Sequence, residues 1–323
     1  MRNIVGLYMF CFSFLFSCQG TDKELQINSL NAEMSFTRMD EILNQVSTIS
    51  ELDSLKNIYP LFFPSSIDGA QMLDWLNSEE SNYIQDQVDS VFSNKDVQLG
   101  QDFQNLSNHL EYYFPKSPKN SYYTILGNGD YEDRVLINRE NVVISIDFFL
   151  GTNSPLYAGL DGYLKSNFEP KTMLIQVAKE LVNHRYLSQE NSSRIFVYQI
   201  IQAAKPYYAS SLLVPGHDLE DYLAYTSDQM DWARANEYGV WAYFIEQELL
   251  FSSNSDLKKR FIDLAPFSKF YMSFDRESPG QIGIYMGYKI LDSYMQNNDV
   301  SLAKLLTLNP QVIYENSKFK PNK

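Results

Sequence analysis

The chain has 323 residues, with 40 acidic against 26 basic side chains and a formal net charge of −14. So acidic a balance excludes nucleic acid and anionic lipid headgroups as partners, because both need a basic footprint. Its 23 tyrosines and 21 phenylalanines favour a packed core over disorder, and the length suffices for one large domain.

The first element is an address. Arg2 precedes an apolar run from Ile4 to Phe16, shorter than the roughly 20 residues that a transmembrane helix needs. The run closes on Leu15-Phe16-Ser17-Cys18, a branched residue three positions before a cysteine with a small residue between. That pattern predicts a bacterial lipoprotein signal: residues 1–17 are removed, and the Cys18 thiol and its new amine carry acyl chains. Each buried methylene contributes about 0.8 kcal/mol, so two or three chains anchor a protein stably. Cys11, the other cysteine, falls in the discarded part, which leaves the mature chain without disulfide or free thiol. Residues 18–29 read as a polar, lipidated tether, and the absence of an acidic run after Cys18 places the domain in the periplasm.

Further along, Leu30 to Phe36 reads as a strand and Asp40 to Val46 as the start of a helix. Pro60 and Pro64 bracket Leu61-Phe62-Phe63, which cannot be regular helix. Helical spacing returns over 83–92 and 99–113. A β-rich middle follows, with strands at 122–126, 134–138 and 142–149, a turn at Gly127-Asn-Gly-Asp130 and a hairpin through 139–141. The remainder is mainly helical, over 171–187, 193–205, 217–226, 228–251 and 280–297. Gly280, Gly283 and Gly287 do not have dinucleotide-fingerprint spacing; they form a small-residue stripe that lets backbones approach, and Pro279 ahead of them suits a first helical turn. With neither repeats nor a linker, residues 30–323 form a single α+β domain.

Few residues offer chemistry. The histidines are His109, His184 and His217, too few for a histidine-rich metal site. His109 belongs on a helix surface or rim, and His217, after Pro215-Gly216, at a helix start. A zinc-peptidase helix carries His-Glu-x-x-His, so that both imidazoles face the metal and the glutamate sits beside its water. Here the five residues are Lys179-Glu180-Leu181-Val182-Asn183. The glutamate stands, an ammonium replaces one ligand and a neutral amide the other. Glu180 and His184 share a helical face and, with a distant carboxylate such as Glu246, define the rival reading of a metal-dependent hydrolase with unusual ligands.

Cys18, Tyr59-Pro60-x-Phe62-Phe63, Ile146-Asp147-Phe148-Phe149-Leu150-Gly151, Trp241-x-Tyr243-Phe244-x-Glu246 and Ser278-Pro279-Gly280-Gln281-Ile282-Gly283 together give a chain that resembles the gliding-motility lipoprotein GldB family of Bacteroidetes over nearly its whole length. That family is similar to zincin-like metallopeptidases, in which a hydrophobic strand (here Val142 to Phe149) precedes the metal helix (here Thr172 to Leu187). The resemblance implies a mainly helical, zincin-like scaffold with a small mixed sheet before a helical half. Its degenerate metal site falls on Lys179, Glu180 and Asn183, with no cofactor and no catalytic residue. It implies a lipid-anchored envelope pseudoenzyme required for gliding, with protein partners in the gliding and type IX secretion machinery. With both ligands lost, an edge strand could still hold an extended peptide. A cell-wall or polysaccharide-binding lipoprotein, favoured by the aromatic content, is the third reading.

Overall fold

The computed structural model describes residues 19–64, 66–188 and 193–323; Cys18 and the signal segment lie outside them. Strands β1 (Met34–Arg38), β2 (Asn120–Ile125), β3 (Val135–Asn138) and β4 (Asn141–Ser145) form one mixed sheet in the order β1-β2-β4-β3. β1 and β2 run parallel with Phe36 beside Tyr122, β2 and β4 parallel with Ile125 beside Ser145, and β3 returns antiparallel with Leu136 opposite Val143. The first strand therefore begins later than expected, at Met34, and the hairpin forms where the sequence placed it. β4 stops at Ser145 rather than Phe149, because Ile146–Phe148 tightens into a 3-10 turn.

Side-chain alternation along β2 divides the protein. Tyr122 faces the main core, stacked on Phe103 at 4.5 Å, and Phe36 beside it also stacks on Phe103, at 5.0 Å. Tyr123 and Ile125 face the other way, onto a smaller cluster built from Met39, Leu43, Leu52, Phe63 and Leu76. The helices before β2 serve both layers: α1 (Gln19–Asn28), α2 (Met39–Asn44), α3 (Ile49–Ile58), α4 (Gly69–Leu76), α5 (Glu79–Phe92) and α6 (Asp96–Tyr113). The segment expected as a tether is α1, with Ile27 fully buried, Glu24 beside His109 and Lys23 over the Tyr113 ring of α6.

Past the sheet come α7 (Gly162–Lys165), α8 (Met173–Leu181), α9 (Phe196–Leu213), α10 (Leu219–Leu223), α11 (Ser227–Ala235), α12 (Glu237–Glu246), α13 (Asp256–Phe261), α14 (Ile282–Asn297), α15 (Leu302–Thr307) and α16 (Pro310–Ser317). The long helix expected over 228–251 is two, broken at Asn236, whose side chain bonds back to the Trp232 carbonyl at 2.9 Å. α9 continues past Lys205 and carries Pro206 in its interior. Its apolar residues Ile200, Ile201, Ala204, Ala209 and Leu213 are buried on several sides, and packing of that extent outweighs the backbone bond that proline removes.

The glycine stripe does what its spacing predicts. A Cβ on Gly287 would stand 2.2 Å from the Ile200 carbonyl oxygen, and one on Gly283 would stand 2.7 Å from that of Phe261. α14 thus lies backbone to backbone on α9. Pro279, however, precedes the helix: α14 starts at Ile282, whose N–H donates to Ser268 Oγ at 3.1 Å, while that hydroxyl donates to the Pro279 carbonyl at 2.7 Å. No helix among the described residues is long and apolar enough to cross a membrane.

Candidate functional site

α8 lies with Met173, Val177, Ala178 and Leu181 in the core. The residues between them turn toward a cavity of about 210 Å³, lined by Gln176, Lys179, Glu180 and Asn183 together with Arg134, Asn167 and Tyr207. All three degenerate motif positions therefore meet at one place. The Lys179 ammonium sits over the Tyr207 ring, 3.9 Å from its centre. Burial pushes its pKa down to about 7, with the Arg134 charge adding to that and Glu180 opposing it. Arg134 donates to the Tyr131 carbonyl at 2.7 Å and to Gln176 Oε1 at 3.1 Å, and Gln176 donates on to Asn167 Oδ1 at 3.1 Å. Tyr207 is held as a neutral phenol by burial.

The rival ligand set does not assemble. After Leu181 the helix widens into a π-turn, Val182–Tyr186, so the α-spacing that would align Glu180 with His184 is not kept. His184 is exposed and does not line the cavity. Glu246 is exposed at the end of α12. Among the described residues, no three His, Cys, Asp or Glu side chains gather where they could hold a metal ion.

The other histidines divide. His109 is buried, contrary to its expected place on the surface, and its Nδ1 bonds the Asn105 carbonyl one helical turn back at 2.8 Å. α1 covers that face of α6. His217 does precede a short helix, α10, and lies 3.4 Å from Asp221.

A second, larger concavity was not foreseen. It holds about 970 Å³ and lies beyond the carboxyl ends of the parallel strands β1, β2 and β4, where open sheets with parallel strands bind ligands. Each strand end contributes to its lining, among others Asp40 after β1, Gly127 after β2 and Asp147 after β4. Arg38 holds Asp40 through Nε and Nη2 at 3.0 and 2.6 Å, and Thr124 donates to the same carboxylate. Among the described residues, Asp147 has no such cation. Its Oδ1 accepts the Gly127 N–H at 2.7 Å. Burial, reinforced by the Asp40 charge, raises its pKa to about 6. Gly127 is required there, since a Cβ would stand 2.9 Å from that of Ser145 and 3.2 Å from Asp147 Oδ1. The walls are apolar, with Phe62, Met72 and Trp75 on one side and Leu136, Leu156 and Leu160 on the other. One sign in the sequence marks the site: a lone carboxylate inside the apolar run Val142 to Leu150.

The chain is thus a mainly helical α+β protein with a small mixed sheet, a small cavity lined by Lys179, Glu180 and Asn183, and a larger acidic groove. It belongs to the family of gliding motility protein GldB, whose family model matches residues 20–321. No curated protein and no solved structure matches it. Membership ties the chain to gliding motility and, as a lipoprotein family, to the cell envelope.

Proposed function

We propose that this protein is a lipid-anchored, periplasm-facing and non-catalytic component of gliding, a pseudopeptidase scaffold that holds a partner linked to the type IX secretion machinery. One observation carries the non-catalytic reading: Lys179 lies against Tyr207 at the place where the resemblance puts a zinc ligand. A divalent ion does not fit this donor set. Its neighbours would be a lysine, the Arg134 guanidinium and the neutral amide of Asn183, with Glu180 as the one carboxylate lining the cavity. The zincin-like part of the proposal draws support from the antiparallel edge strand β3 and from α8 with the π-turn that follows it, which together bring Lys179, Glu180 and Asn183 to one cavity.

Metal analysis of the full-length lipoprotein in detergent tests this reading. The expected result is no stoichiometric zinc in either wild type or Glu180→Ala. Zinc at one equivalent, lost in Glu180→Ala, would replace the scaffold with a metallohydrolase. The anchor is tested separately with Cys18→Ala, which is expected to release the protein from the membrane fraction and stop cells from spreading. Full motility with a soluble Cys18→Ala protein would remove the lipid from the function.

A further inference from the structure

We propose that the open groove binds an extended apolar segment of a partner protein, through a lysine or arginine that pairs with Asp147. This inference rests on the reading of the chain as a binding component and names the chemistry of what it binds.

The charges select a cation. The charged side chains lining the groove are Asp40, Glu80, Asp133 and Asp147, with no lysine, arginine or histidine among the lining residues. Asp40 already has its counter-ion in Arg38 and a hydroxyl donor in Thr124. Asp147 is 7% exposed, and its carboxylate is met by a backbone N–H and, among the described residues, by no positive side chain. A buried carboxylate without a cation is costly to ionise, and an incoming ammonium or guanidinium removes that cost. The excess negative charge of the whole chain steers a basic segment the same way.

The walls select an apolar body around that cation. Ile67, Trp75, Tyr83 and Leu136 line the groove with 51%, 39%, 48% and 48% of their surface in solvent. Large apolar side chains gathered in one concavity mark an interaction site rather than ordinary surface.

The sheet selects a polypeptide over a small amine. β3 is the outer strand, so its far edge has no strand partner within the sheet, and Leu136 on it lines the groove. A segment added to β3 would take its hydrogen bonds from that edge. Alternate side chains would then fall on the Leu136 face, toward the groove.

A capped hexapeptide in which threonine alternates with leucine, lysine and leucine puts its apolar and basic groups on one face. Its affinity for the full-length lipidated protein in detergent micelles is read by calorimetry at pH 8, beside a twin with norleucine in place of lysine. The lysine peptide is expected to bind at least tenfold more tightly. Asp147→Asn, which keeps the side-chain volume, should bring the two peptides within twofold of each other, and Leu136→Lys should weaken both. Circular dichroism on each variant establishes that it is folded. Equal affinities in the wild type, or a tenfold preference that survives in folded Asp147→Asn, would overturn the proposal. Octylamine or a chitin oligosaccharide binding as tightly as the peptide would overturn the assignment of a polypeptide. Zinc content measured on the same preparation reports on the parent reading, so the two failures are distinguishable.

Discussion

The Lys179 cavity and the Asp147 groove share one segment of chain and treat a buried charge in opposite ways. Gly127, Asn128, Gly129, Asp133 and Leu136 line the groove, while Tyr131 and Arg134, from between them, line the cavity. Burial drives both ionisable groups toward neutrality, Lys179 down to about 7 and Asp147 up to about 6. The cavity answers from within: the Tyr207 ring covers the ammonium, and the Tyr131 carbonyl and Gln176 hold the Arg134 guanidinium. The groove gives its carboxylate a backbone N–H and, among the described residues, no counter-ion. A buried cation covered by an aromatic ring is enclosed within the fold without a counter-ion, whereas a carboxylate that lines an apolar groove can be met by a ligand's cation. Substitutions in the cavity should therefore be read in stability, and substitutions in the groove in binding.

The largest effect belongs to Arg134→Ala. It removes the guanidinium bonded to the Tyr131 carbonyl and Gln176 and leaves buried acceptors unpaired, a loss of about 3 kcal/mol in urea unfolding. Affinity for the lysine hexapeptide should stay within twofold. A folded Arg134→Ala that binds the peptide tenfold more weakly would join the two sites into one.

Lys179→Met should act in the opposite direction. The lysine pKa falls from 10.5 in the unfolded chain to about 7 in the folded one. Below pH 10 the unfolded state takes up a proton that the folded state accepts only near 7, so stability falls as pH is lowered through that window. Methionine abolishes this dependence. It should raise stability at pH 7 by about 2 kcal/mol after the lost contact with Tyr207 is allowed for, with the gain vanishing toward pH 10. A loss at pH 7 would mean that the ammonium on Tyr207 is a net stabiliser.

The cavity was far more legible in sequence than the groove. Lys179, Glu180 and Asn183 stand within five consecutive residues of one helix, where spacing alone puts them together. Asp40, Gly127 and Asp147 come from three separate strand ends, the first of them 87 residues before the second, and the parallel register of β1, β2 and β4 is what unites them. Helix periodicity found α5, α6 and α14, and the glycine intervals found the contact between α14 and α9. Periodicity misjudged α1 because its sequence is polar along most of its length. Its docking depends on Ile27 and on the contacts of Glu24 with His109 and of Lys23 with Tyr113, 85 and 90 positions away. It likewise ran 228–251 together, since the apolar pattern survives the break at Asn236.

Asp147→Asn gives a smaller change in stability and sharpens the contrast with Lys179. The Asp147 pKa rises from 3.8 to about 6 on folding under burial and the Asp40 charge, against the pull of backbone N–H groups. Ionisation therefore costs the folded state stability that is fully retained below pH 4 and lost as pH rises through 6. Relative to wild type, the asparagine variant should be more stable at pH 8 by between about 1 and 2 kcal/mol, and equal to it at pH 4. Cells carrying it should glide poorly despite the firmer fold. Normal gliding with a stabilised Asp147→Asn protein would make the carboxylate a structural burden without a motility role.

The smallest effect on the fold should come from Leu136→Thr. Leu136 stands on the edge strand with 48% of its surface in solvent, opposite Val143 in the register. Threonine is β-branched and suits an exposed strand position, so stability should change by less than about 1 kcal/mol. The apolar wall of the groove would nonetheless lose its isobutyl group at the point where an added segment would lie. Affinity for both the lysine and the norleucine peptide should fall about fivefold while the ratio between them holds, because the wall contributes apolar contact and Asp147 the charge. A changed ratio with unchanged norleucine affinity would mean that Leu136 acts on Asp147 rather than on the peptide. That result would move the docking surface off β3 and onto the α4 side of the groove, around Met72 and Trp75.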